Sequence, residues 1–135
     1  MHNLVYALIQ LIHNFGAAAV IGIPAYVLMN QRDSMAVYHR VIISVAIAWL
    51  VQLITGFTFG IASLTFYGHL PDIHGVAKIA LSIKIICALT ALGLFFVVWK
   101  QRLTYSNTRL RLYWASWLIL GTIALSSAAF LRWYS

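Results

Sequence analysis

Four long apolar stretches occupy most of the chain, roughly Leu4 to Met29, Val41 to Phe66, Val76 to Trp99 and Leu112 to Leu131. Each is long enough to cross about 30 Å of hydrocarbon at 1.5 Å of rise per helical residue. Inside lipid an open strand leaves backbone N–H and C=O groups unsatisfied, so such stretches have to be helices. The connections between them are short, which makes consecutive helices antiparallel neighbours. The sequence therefore predicts an all-α integral membrane protein. It forms one transmembrane domain over 1–135, an antiparallel bundle with spans at about 4–29, 41–66, 76–99 and 112–131.

Composition closes off the other classes. Only 8% of the 135 residues are charged, about a third of what a soluble domain carries. Nine Lys/Arg face two acidic residues, Asp33 and Asp72, and there is no Glu. A soluble enzyme or a disordered tail has no surface to build from this. The basic residues are spread between apolar blocks and form no single patch, so nucleic acid is not an expected partner. One cysteine excludes an internal disulfide framework, and the absence of CxxCH excludes covalent c-type haem attachment. The N-terminus has neither a basic leader nor a small-residue cleavage site and reads as a retained span.

The basic residues also orient the bundle. The first and third loops carry Arg32, Arg40, Lys100, Arg102, Arg109 and Arg111, against Lys78 and Arg132 near the opposite ends of the spans. This asymmetry puts those two loops inside and both termini outside, as in a bacterial inner membrane. Trp99, Trp114, Trp133 and Tyr134 fall near span ends, where interfacial aromatics anchor at the headgroups.

Ionisable groups inside the hydrocarbon cost at least about 2.5–3.5 kcal/mol each and tend to mark function. Two stand out. His13 lies about nine residues into the first span, roughly 13 Å deep, and Lys84 about eight residues into the third, roughly 12 Å deep. Both helices enter from the same side, so the two residues share a level. Small residues, Gly16 and Ala17 by His13 and Ala80, Cys87, Ala88 and Ala91 by Lys84, allow close approach by a helix or a flat ligand. No carboxylate in the spans can pair with Lys84, so it either snorkels to the headgroups or meets an anion such as a haem propionate or a lipid phosphate. His13 is either a neutral imidazole bonded to a neighbouring helix or a ligand to metal or haem iron. In the second span, Gly56 and Gly60 form a GxxxG, read first as a helix-packing device.

Further histidines lie at the outer rim. His69 and His74 flank the second loop and His2 belongs on the same side. With Asp72 they form a candidate surface site for copper or zinc, alongside the reading as solvated loop histidines.

The run Leu11-Ile12-His13-Asn14-Phe15-Gly16-Ala17-Ala18-Ala19-Val20-Ile21-Gly22 resembles the LHxxGaaxWxGg signature of CopD-like (copper-resistance-D) membrane domains. Ser82-Ile83-Lys84-Ile85-Ile86, leading to Trp99-Lys100-Gln101-Arg102, is similar to that family's Lys-bearing helix and its basic end. The related HemJ-type protoporphyrinogen oxidases share the four-helix layout with a first-span His and a third-span Lys. Here Val20 stands where the signature has Trp, and the Leu-Pro-Arg segment of HemJ-type proteins is not reproduced.

Three functions follow as expectations. The first is a haem-linked membrane redox protein, an oxidoreductase or electron-transfer subunit. In it a b-type haem (haem b) binds at His13 and Lys84, with Gly16 and Ala17 lining the cofactor and electrons passing at the outer side to a quinone or a periplasmic electron-transfer partner. The second, implied by the CopD-like resemblance, is copper uptake or handling from a periplasmic metal carrier through His2, His69, His74 and His13. A Met-rich relay for soft Cu(I) is missing, with three Met and one Cys in the chain. The third is an accessory role, stabilising other subunits of a larger membrane complex.

Overall fold

The computed structural model describes residues 2–30, 35–69, 75–101 and 107–134. They form α1 (His2–Met29), α2 (Met35–Tyr67), α3 (Val76–Gln101) and α4 (Asn107–Tyr134). All four helices are long and apolar enough to cross a bilayer, and the chain is an all-α four-helix integral membrane protein.

The helices stand in a ring, with α1 against α2 and α4, and α3 against the same two, so that α1 and α3 lie diagonally opposite. Each turns one stripe inward. On α1 the stripe is Ile9, His13, Gly16, Val20, Pro24 and Val27, and on α3 it is Ala77, Ala80, Cys87, Ala88, Ala91 and Val98. The three- and four-residue steps are those of one helix face. Outside, Leu11, Phe15, Ile54, Phe57, Ile86 and Ile119 are exposed, as lipid-facing residues should be. Apolar residues on both faces leave little amphipathic contrast, so small or polar residues are what mark the inner stripe.

Close contacts follow from missing atoms. Pro24 has no N–H to offer the carbonyl of Val20, and α4 approaches α1 closely at that same carbonyl. A Cβ on Gly121 would stand 3.0 Å from Val20 O and 3.1 Å from Ile21 Cγ1. On the α3–α4 seam, Trp117 Nε1 donates to Ala91 O at 3.0 Å. The far end of α2 is closed by Gly68, whose φ of +74° lets its N–H turn back to Leu64 O at 3.0 Å.

Two expectations are corrected. Trp114 is not an interfacial anchor: it is 1% exposed and lies beside Trp117 with ring centroids 4.9 Å apart. The fourth helix begins at Asn107, before its apolar run, so Trp114 sits two turns inside it. Gly56 is exposed with open space where its Cβ would be, and packs no helix within the bundle. Trp133 is 84% exposed, as an anchor would be. The loop positions Arg32, Asp33, Asp72, His74 and Arg102 lie outside the described residues.

Candidate functional site

The inward stripes of α1 and α3 carry His13 and Lys84 to the bundle axis at the same level. Lys84 Nζ lies 2.8 Å from His13 Nε2 across the diagonal. Lys84 occupies the same face of α3 as Ala80, Cys87 and Ala88, and those short side chains leave room for its stem to run inward. It is half-buried and does not reach for the headgroups.

The second helix fixes the imidazole. His13 Nδ1 is 2.6 Å from Thr55 Oγ1, and Thr55 Oγ1 lies 2.5 Å from the carbonyl of Val51 one turn back. A hydroxyl has a single hydrogen, and that of Thr55 goes to Val51 O. Nδ1 is therefore the protonated ring nitrogen and donates to Thr55, while Nε2 carries the lone pair and accepts from Lys84. The result is one chain of donors, from the Lys84 amine through His13 and Thr55 to a backbone carbonyl. Orientation of one ring nitrogen by an acceptor behind it is the arrangement that prepares the other for a ligand.

A second tie holds the same turn of α1. Gln52 is buried, and its Nε2 donates to His13 O at 2.6 Å. Gly16 permits this approach, since a Cβ there would stand 2.5 Å from Gln52 Nε2 and 3.2 Å from Val51 Cγ1. Gly16 thus serves the contact between α1 and α2. Ala17 is half-buried and turned off the inner stripe. Phe59, one turn beyond Thr55, closes the pair on the side of the chain termini. Its ring meets the His13 imidazole edge-on, with centroids 5.7 Å apart and planes at 80°.

Among the described residues no carboxylate stands near Lys84, because the spans contain no Asp or Glu. Its bond to His13 is the one hydrogen bond it makes to a described residue. Cys87, one turn along, is buried and unbonded to other sulfur.

Of the rim histidines, His69 lies away from this centre. His69 is exposed beyond the end of α2, and its carbonyl accepts from Ser63 Oγ at 3.0 Å. His74 and the side chain of His2 fall outside the described residues. Among the described residues no three His, Cys, Asp or Glu side chains converge on a common point. His39 lies at the opposite end of the bundle against Trp99, with ring centroids 4.7 Å apart.

Gln52 and Phe59 were not singled out by sequence, nor was Thr55 as the partner of His13. A Gln and a Thr three residues apart inside an apolar span were the available signal, since each needs a partner in lipid. Compared with known protein families, with curated proteins and with solved structures, the chain has no significant match.

Proposed function

We propose that this chain is an integral membrane redox protein in which His13 ligates the iron of a b-type haem and Lys84 faces an anionic group of the cofactor. The observation that carries the reading is the geometry around His13. Its Nδ1 lies against Thr55 Oγ1, which itself lies against Val51 O, and its Nε2 faces Lys84 across the bundle, so a neutral imidazole there would present its Nε2 lone pair to the bundle axis. That is the donor an axial haem ligand requires.

The fit to such a group is chemical, and it has one condition. Lys84 Nζ stands 2.8 Å from the lone pair that the metal would take, so ligation requires the amine to withdraw. A withdrawn Lys84 remains the nearest cation and suits a propionate. A haem at His13 supplies a one-electron centre whose potential is set by axial ligation, burial and nearby charge.

The basic asymmetry of the loops supports placing the end that carries both termini outside a bacterial inner membrane. Electrons would then be exchanged at that side. The HemJ-type layout, with a first-span His and a third-span Lys, agrees with this reading, whereas the CopD-like likeness implies copper handling.

The test is the visible spectrum of the purified chain titrated with haem. A stoichiometric Soret band that shifts on reduction and is lost in His13→Ala supports the proposal. A spectrum unchanged in His13→Ala, or no saturable binding, overturns it. Loss of bound copper in His69→Ala/His74→Ala without any chromophore would replace it by the copper-handling reading.

A further inference from the structure

At the end of the bundle that carries both termini, a cleft of about 480 Å³ opens between α1 and α2. It is lined by Asn3, Tyr6, Phe59, Ser63 and Tyr67. This volume lies within the range of small-molecule sites, roughly 300–1,000 Å³. Phe59 belongs to two places at once. One of its contacts is the edge of the His13 imidazole, and another is Tyr6, so the wall of the cleft is also the wall of the His13–Lys84 centre.

Two features describe what the cleft would take. The rings of Tyr6 and Phe59 are near parallel, 22° apart, with centroids separated by 6.4 Å. Direct aromatic pairs span about 4.5–7 Å, so this pair is a loose one. Tyr6 also packs on Phe66 and Tyr67, with centroids 6.0 and 6.2 Å apart, so a flat ring entering the cleft would stack against this aromatic cluster. The polar groups are Asn3, Tyr6, Ser63 and Tyr67, all uncharged. Ser63 is already committed to His69 O. The Asn3 amide and the Tyr6 and Tyr67 hydroxyls make no hydrogen bond to another described residue. Three neutral donor groups beside an aromatic cluster match a planar, uncharged ring carrying carbonyl oxygens. They do not match an acidic porphyrin, since the described lining residues include no cation. Exposed Leu4, Leu8, Ile61 and Leu64 occupy the same turns and offer a path for an apolar tail into lipid.

We infer that this cleft binds the ring of a membrane-soluble quinone or quinol, one aromatic side chain away from His13. The inference deepens the redox reading by naming the class of its electron-carrying partner, and it rests on that reading for its purpose.

The experiment uses the full chain in nanodiscs with a short-tailed photoreactive azidobenzoquinone as probe and peptide mapping as readout. Label should concentrate on the first turns of α1 and the last turns of α2. It should be displaced by the unlabelled benzoquinone and not by an alkyl chain without a ring. Tyr6→Ala should weaken displacement about tenfold, and Tyr67→Phe, which keeps the ring, about threefold. Label spread evenly over four helices, displacement by the ringless chain, or unchanged labelling in Tyr6→Ala overturns the inference. His13→Ala separates the two proposals. Cleft labelling that persists while haem is lost, or never bound, leaves the quinone site standing alone. A Soret band without cleft labelling sinks only the quinone site.

Discussion

The arrangement of His13 rests on one hydroxyl, and two substitutions at Thr55 read its worth with opposite expectations. Thr55→Val keeps the branched shape and removes Oγ1, so the buried Nδ1–H of His13 loses its acceptor at 2.6 Å. A buried donor left without a partner costs about 1–3 kcal/mol, with little cavity contribution because the volume is kept. Thr55→Ser does the reverse. It retains the hydroxyl and deletes a methyl, worth about 0.8 kcal/mol if fully buried. If hydrogen bonding governs the site, Val is the costlier change by about 1–2 kcal/mol. Reversible unfolding in mixed micelles, with folded fraction followed across the denaturant series, gives both free energies in the same host. Haem titration adds a second readout. Val should also weaken haem binding, since the ring is freed to turn and to change tautomer, whereas Ser should preserve it. A Ser variant less stable than the Val variant would refute the reasoning, because packing and not the donor chain would then hold His13.

Other expectations follow from the same contacts. Lys84→Met trades a hydrogen bond of about 1.5–3 kcal/mol for relief from burying a charge, about 2.5–3.5 kcal/mol on insertion scales. Stability measured by the same unfolding series should therefore fall between a loss of about 0.5 and a gain of about 2 kcal/mol, while a haem at His13, deprived of the cation that faces its propionate, should shift to a lower reduction potential. Gly16→Ala should destabilise by about 1–2 kcal/mol, since the new Cβ displaces Gln52 from His13 O. Gly22→Ala, on the same helix with open space at its Cβ, should be neutral or stabilising by up to about 1 kcal/mol. Two of the three buried indoles give a matched comparison. Trp117 Nε1 is bonded to Ala91 O, whereas the Trp49 Nε1 has no partner, so Trp117→Phe should cost about 1 kcal/mol more than Trp49→Phe.

Much of this was legible in the sequence, for identifiable reasons. Apolar runs of membrane length fix four helices, and the matched depth of His13 and Lys84 places them at one level. Small residues share a face with each, Ala77, Ala80, Cys87, Ala88 and Ala91 with Lys84 and Gly16 with His13, but whether Lys84 turns inward or snorkels was not decided by sequence. What escaped was everything set by the register of α2. Which residue meets Nδ1 depends on how far α2 slides along α1, and hydropathy, nearly uniform around that helix, says nothing of it. Gly16 was read as room for a ligand as readily as for a helix, and only the position of Gln52 decides between them. Trp114 was misplaced because the polar first turns of α4 hide the true start of the helix from any apolar-run criterion.

The account turns on one claim, that His13 directs a lone pair to the bundle axis and Lys84 meets it there across the α1–α3 diagonal. Nitrogen-15 NMR of the chain labelled at His and Lys, in a bilayer mimic, addresses it directly. A neutral His13 protonated at Nδ1, with Nε2 in through-space correlation with Lys84 Nζ and the correlation lost in Lys84→Met, is the result the account predicts. A His13 protonated at Nε2, or a Lys84 amine correlated with lipid headgroups instead of the imidazole, would contradict it.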